Sequence, residues 1–160
     1  PAFRKDGTVT AATSSSISDG AAALVLMSES AARARGLKPL ARLVAQASHA
    51  HEPEWFTTAP VGAIRRLLDR TGWKASEVDL YEINEAFAAV TMVATMELNL
   101  DPAKVNAGGG ACALGHPIGA TGARILTTLL HGLARRGQSR GIAALCIGGG
   151  EATAVAVERL

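Results

Sequence analysis

With 160 residues and 48% hydrophobic side chains, the chain carries enough apolar material for one sizeable core, so one globular domain is expected. A net charge of +2 with 19% charged residues excludes the basic field of a nucleic-acid binder and leaves Arg65-Arg66 and Arg135-Arg136 as solvated helix faces. There is no run of the ~20 apolar residues that a membrane span needs and no signal-peptide pattern, and the two cysteines form neither a disulfide framework nor a metal spacing, so a cytoplasmic protein without metal or membrane partner is expected.

The chain begins at Pro1 where a Met is usual, as a processed or excised piece would. Pro1 to Asp6 reads as an irregular lead-in to a short extended Thr8-Val9-Thr10. Residues 12 to 20 are crowded with hydroxyls and close on Asp19-Gly20, the composition of a surface loop. Ala21 to Met27 is a continuous small and apolar run, which predicts a strand buried on both faces. Ser28 is placed to cap a short helix that stops at Gly36. Leu40 to Ala47 reads as the next strand, and a helix opened by Pro60 turns Val61, Ile64, Leu67 and Leu68 inward before Gly72 ends it. Between them, His49 to Thr58 reads as a loop with Trp55 and Phe56 as apolar anchors, for packing or for a ligand groove; packing is the role expected of Trp55.

Val78 to Ile83 predicts a third strand that delivers Asn84, Glu85, Ala86 and Phe87 at its carboxyl end, where open α/β sheets collect ligand-binding groups. The following helix, running to about Leu98, has apolar residues on several faces, among them Val90, Met92, Val93 and Met96, which predicts burial of most of it. A buried Asn84 must satisfy its amide, by capping that helix or by holding a substrate or a water. Capping is the reading favoured locally.

The stretch from Gly108 to Arg124 sets His116 among glycines, which permit positive φ and close approach of a ligand or another chain. Gly110 and Gly115 have the spacing of a P-loop, but His116 and Pro117 stand where Lys and Ser or Thr must meet phosphate and metal. Counted from Gly108, Ala113 occupies the third glycine's place in a dinucleotide fingerprint. With nucleotide binding set aside, His116 precedes a helix whose Leu126, Leu129, Leu130 and Leu133 form an inner stripe and which Gly137 ends. With Pro117 in the first helical turn, His116 lies near the positive end of the dipole, which favours a neutral imidazole. Such a ring can donate to a carbonyl oxygen or take a proton from a thiol; packing on Pro117 is the alternative role. Gly141 to Ile147 reads as a buried strand, Gly148-Gly149-Gly150 as a turn, and Ala152 to Val157 as the antiparallel return. Cys146 is either a small buried hydrophobe or a thiol that a ligand approaches, since bare glycine N–H groups suit an oxyanion. Strands alternating with helices predict a three-layer α/β domain with a mostly parallel sheet.

Asn84-Glu85-Ala86-Phe87, Gly115-His116-Pro117 and Cys146-Ile147-Gly148-Gly149-Gly150 stand in this order, and together they closely resemble the C-terminal half of the thiolases. The similarity runs over essentially the whole chain, including Asp6-Gly7-Thr8-Val9-Thr10 and Ser18-Asp19-Gly20-Ala21-Ala22-Ala23. The resemblance implies a three-layer α-β-α domain with a five-stranded mixed sheet, with residues 1–160 as the family's C-terminal domain. It implies an acyltransferase of fatty acid and lipid metabolism, acting by thiolysis of 3-oxoacyl-CoA or the reverse Claisen condensation of acyl-CoA. Coenzyme A is then substrate or product, and no further cofactor is required. His116 and a water held by Asn84 would form one oxyanion site, Cys146 would be the acid/base, and the Gly148 N–H would serve a second oxyanion site. Ser15 would meet the pantetheine arm of coenzyme A, with Phe56, Ala86 and Phe87 on the apolar wall beside it. The nucleophilic cysteine would come from an N-terminal thiolase half, because neither Cys112 nor Cys146 stands in that motif, and the complete enzyme would be a homodimer or homotetramer.

Two departures from the family pattern bear on acyl-chain preference: the hydroxyl-rich Thr13-Ser14-Ser15-Ser16, and Glu151 where a neutral residue is common. The competing expectation is a noncatalytic module that binds CoA esters or mediates dimerisation. Asn84, His116 and Cys146 together favour the enzyme, since binding alone needs no proton chemistry.

Overall fold

Four strands, β1 (Ala41–Ala50), β2 (Leu80–Ile83), β3 (Arg140–Ile147) and β4 (Glu151–Arg159), pair in the order β1-β4-β3-β2 in the computed structural model, which describes all 160 residues. Only β2 and β3 run parallel; β3–β4 and β1–β4 are antiparallel. The sheet is therefore mixed and mainly antiparallel, against the mostly parallel one that alternation suggests. The reason is the turn at Gly148-Gly149-Gly150, since a three-residue connection can only reverse the chain while a parallel pair needs a long crossover.

The expected fifth strand, Ala21 to Met27, does not form, and β2 is left at the edge of the sheet. Val105 reaches the outer edge of β2 and makes one parallel bridge to Tyr81. Asn106 then turns away with φ 47°, and its side-chain amide takes over the ladder: Oδ1 accepts from the Ile83 N–H and Nδ2 donates to the Ile83 carbonyl, both at 2.8 Å. One amide thus fills the donor and acceptor sites that another strand residue would have filled.

Five α-helices accompany the sheet: α1 (Glu29–Ala34), α2 (Ala59–Thr71), α3 (Ala88–Glu97), α4 (Ala111–Leu114) and α5 (Thr121–Arg136). Helix α2 packs on β1 and β4 with α3 beside it, and Ile64, Leu67, Val90 and Ala94 join Ile83, Ile142, Cys146 and Ala154 in the larger core cluster. Helix α5 covers the opposite face of β2 and β3, where Ile125, Leu129 and Leu133 meet Leu80, Ala143 and Val157. Each such aliphatic side chain contributes ~1.5–3 kcal/mol by leaving water. The local stop signals act as expected: Ser28 Oγ accepts from the Ala31 N–H at 3.2 Å, and Gly36, Gly72 and Gly137 close their helices at φ 64–69°.

Three expectations are corrected. Ala21 to Met27 forms no strand: Val25 is 87% exposed and Leu26 68%, because no strand edge of this chain lies beside them to take their N–H and C=O groups. Helix α3 buries only the stripe of Val90, Thr91 and Ala94, leaving Met92 and Met96 exposed, since α2 and the 3-10 turn Pro53–Thr58 cover one side alone. Trp55, in that turn, is exposed and is no packing residue, whereas Phe56 packs against the core. No helix is long and apolar enough to cross a membrane.

Candidate active site

The parallel pairing of β2 with β3 continues one residue past Ile83, where the Asn84 N–H donates to the Ala144 carbonyl at 2.9 Å. This holds Asn84 at the carboxyl edge of the sheet with its side chain only 1% exposed. The amide does not cap α3, whose N-cap is Phe87 without a side-chain bond. Instead Asn84 Nδ2 lies 3.4 Å from His116 Nε2, and Oδ1 is buried without a protein partner. An unpaired buried acceptor is costly, which favours the functional role over the capping one.

His116 is half-buried and held at both ends. Its Nδ1 lies 2.7 Å from Thr121 Oγ1, and its backbone N–H donates to the Ser16 carbonyl at 3.2 Å. Helix α5 starts at Thr121, so Pro117 stands ahead of the first turn and not in it. The Pro117 carbonyl accepts the N–H groups of Ala120 and Thr121 and the Thr121 hydroxyl. Burial, aided by the positive charge of Arg124, holds the His116 pKa below its ordinary 6.5, so the ring is neutral near pH 7.

Glu85 links the two loops. Its Oε2 accepts from the Cys112 N–H at 3.1 Å, and Asn106 Nδ2 lies 3.4 Å from its Oε1. A side chain at Gly110 would occupy the same space as this carboxylate, which accounts for that glycine. Cys112 points its thiol at the Glu85 carbonyl, and burial together with the Glu85 charge raises its pKa. A thiol pushed that way is a poor nucleophile.

Ser15 lies against the same motif: its N–H and its Oγ both donate to the Ala86 carbonyl, each at 3.1 Å, and Ser14 bridges Phe87 in antiparallel fashion. The Phe87 ring meets Phe56 edge-on at 6.2 Å and Phe3 at 6.1 Å. Ser15, Ala86, Phe87 and Phe56 are therefore brought together as one wall.

Cys146 lies near the end of β3, opposite Ala152 and 7% exposed, and burial raises its pKa. No side-chain hydrogen bond joins it to Asn84 or His116. Beyond it the Gly148 N–H is exposed and has no backbone partner, as an anion donor requires. Gly150, at φ 100°, anchors the turn by accepting the His51 N–H at 3.1 Å, and a side chain there would collide with the His51 carbonyl. No group of three or more His, Cys, Asp or Glu side chains is arranged to hold a metal. Sequence reasoning placed Glu85 in the Asn84–Phe87 segment without a role for its carboxylate, and it missed Asn106 and Thr121 as parts of the site. Gly110 and the short spacing from His116 to Thr121 were the only local hints, of Glu85 and Thr121 respectively.

Residues 37–159 match the family model described as Thiolase, C-terminal domain, and residues 1–30 match Thiolase, N-terminal domain. The chain is 51% identical over 160 residues to an acetyl-CoA acetyltransferase of Rhizobium meliloti, covering 100% of this chain and 41% of that protein. It is 53% identical over 161 residues to the cytosolic acetyl-CoA acetyltransferase of Mus musculus, covering 99% and 41%. Among solved structures, the acetyl-CoA acetyltransferase of Bacillus anthracis superposes with a TM-score of 0.98 at 51% identity, over 100% of this chain and 41% of that one. The Acat5 thiolase from Ascaris suum in complex with coenzyme A superposes with a TM-score of 0.90 at 43% identity, over 100% and 42%. The chain thus spans about two-fifths of the length of these relatives.

Proposed function

Because the chain belongs to the thiolase family, we propose that it supplies the oxyanion and proton-transfer groups of an acyltransferase that moves acyl groups between coenzyme A thioesters. The reaction is thiolysis of 3-oxoacyl-CoA or the reverse Claisen condensation, and the names of the relatives support acetyl-CoA as the acyl partner. Residues 37–159 act as the C-terminal domain and residues 1–30 as a piece of the N-terminal one, a division supported by the two family matches. The nucleophilic thiol comes from the part of the relatives that this chain does not span.

In condensation the first acyl-CoA acylates that thiol. Its proton passes to His116 Nε2, the sulfur adds to the thioester carbonyl, and coenzyme A leaves as the thiol with the proton that Cys146 gives up. Cys146, now a thiolate, removes the α-proton of a second acyl-CoA, whose enolate carbon attacks the acyl-enzyme and releases the nucleophilic cysteine, which takes its proton back from His116. Negative charge on the carbonyl oxygens is met by His116, by a water on Asn84 and by the Gly148 N–H. Ser15, Phe56, Ala86 and Phe87 line the path of the pantetheine arm. The single observation that carries the reading is the Asn84–His116 pair with the buried, unpartnered Asn84 Oδ1, an acceptor suited to one proton of a water whose other proton faces the substrate oxygen. Cytosolic relatives support a cytoplasmic location, and assembly as a homodimer or homotetramer belongs to the same reading.

The test joins the chain to its N-terminal half. The 160-residue chain alone is expected to show no thiolysis of 3-oxoacyl-CoA, and the joined protein to show it. In the joined protein Cys146→Ala should still be acylated, as read by mass spectrometry, yet lose turnover by ~10²-fold or more. Near-parental turnover of that variant would remove Cys146 from the chemistry.

A further inference from the structure

We propose that Thr121 sets which ring nitrogen of His116 carries the proton, so that the resting ring holds an Nδ1–H and presents a bare Nε2 to the site. Thr121 is 1% exposed, and its hydroxyl lies between two groups: the Pro117 carbonyl at 2.9 Å and His116 Nδ1 at 2.7 Å. A hydroxyl has one proton to give, and a carbonyl can only accept. If the proton went to Nδ1, two oxygens would face each other lone pair to lone pair at 2.9 Å. It therefore goes to Pro117, and Nδ1 must be the N–H that donates to Thr121 Oγ1.

The other edge of the ring agrees. A neutral imidazole carries one N–H, so Nε2 holds a lone pair, and Asn84 Nδ2 is the donor facing it at 3.4 Å. The opposite tautomer would point Nε2–H at the Asn84 NH2, donor against donor. In the orientation the amide holds, the pairing therefore favours the bare Nε2. Burial and the Arg124 charge keep the ring neutral, so the tautomer question applies to the resting protein.

The consequence concerns the order of events and rests on the proposed acyl-transfer role; the tautomer does not. The resting ring has no Nε2–H to offer a carbonyl oxygen. When the thiol proton moves to Nε2, the sulfur is left as thiolate and the imidazolium gains the missing donor. The thiolate then adds to the carbonyl carbon, and the oxygen that receives the electron pair accepts from that new Nε2–H. Base and oxyanion donor are one atom used in sequence. Thr121 is a positioning residue in this scheme, bonded to the imidazole and the Pro117 carbonyl and to no reacting atom.

Long-range proton–nitrogen correlation spectra of the chain labelled with 15N-imidazole histidine read the tautomer directly, with His116→Ala identifying the signal. His116 is expected to show a protonated Nδ1 and a bare Nε2. Thr121→Val should move it toward Nε2–H, and Thr121→Ser, which keeps the hydroxyl, should restore the parental pattern. In the joined protein, acyl-enzyme formation should fall roughly 10-fold or more in Thr121→Val and recover in Thr121→Ser. A parental His116 protonated at Nε2 overturns the assignment, as does a folded Thr121→Val with an unchanged tautomer. A Thr121→Val protein with a changed tautomer and unchanged acylation overturns the link to the reaction. Failure of the parental joined protein to form an acyl-enzyme overturns the functional reading and leaves the spectral result standing.

Discussion

Two apolar runs of equal length, Ala21 to Met27 and Gly141 to Ile147, are close to interchangeable as sequence and meet opposite fates. The second lies between β2 and β4 with its backbone paired on both sides and helices above and below, and Ile142 is completely buried. The first pairs with no strand and leaves Val25, Leu26 and Met27 in solvent. Burying each such side chain is worth ~1.5–3 kcal/mol, so the first run leaves several kcal/mol of hydrophobic stabilisation unused. An apolar run states a demand for neighbours, and it becomes a strand only where another segment supplies an edge. Residues 1–30, which include this run, match the N-terminal domain model, while the four strands all lie in the part that matches the C-terminal one.

The contrast can be broken most strongly from the buried side. Ile142→Ala is expected to destabilise the chain by ~2–5 kcal/mol in urea unfolding, because surrounding atoms only partly close the cavity. A loss under ~1 kcal/mol would mean that β3 is not the packed centre of the sheet. Next comes a pH effect at β2, where burial, opposed by the Arg124 charge and aided to a smaller extent by the Glu85 charge, raises the pKa of Glu82 to about 7. The folded chain then keeps a proton that the unfolded chain releases near pH 4.5, so this group's contribution to stability is full below that pH and is lost as pH rises toward about 7. Unfolding free energies from urea titration at pH 5 and pH 8 should differ by ~1–3 kcal/mol in the direction of lower stability at pH 8, and Glu82→Gln should flatten the difference.

Cys146→Ala should cost roughly 1 kcal/mol of stability, a methyl-sized void, so a large loss of turnover in the joined protein could not be ascribed to unfolding. The smallest effect belongs to the exposed run. Leu26→Ser should change the stability of this chain by no more than ~0.5 kcal/mol, as for other surface positions. The same substitution should weaken association with the N-terminal half, read by co-purification or sedimentation of the two pieces. Unchanged association would show that the exposed run is not the joint.

What could be read from the residues in order is what depends on near neighbours. Ser28 caps a helix through a bond three residues away, Gly72 and Gly137 stop helices because only glycine adopts positive φ without cost, and the leucines of α5 repeat at a helical period. The glycine turn after Cys146 forces an antiparallel hairpin for an equally local reason. Residue types also marked Asn84, His116 and Cys146 as the chemical groups. The tertiary structure decided what those groups meet. Asn84 was legible as a cap, yet its partner is an imidazole 32 residues away, and Glu85 reaches the Cys112 N–H across 27. At the edge of β2 the Asn106 side chain takes the ladder sites of Ile83, which lies 23 residues earlier. Bonds within one helical turn follow from backbone torsions that each residue biases by itself. Bonds across 20 or 30 positions exist only after the sheet has set its strand order, because only then do the donors and acceptors come within hydrogen-bonding reach of each other.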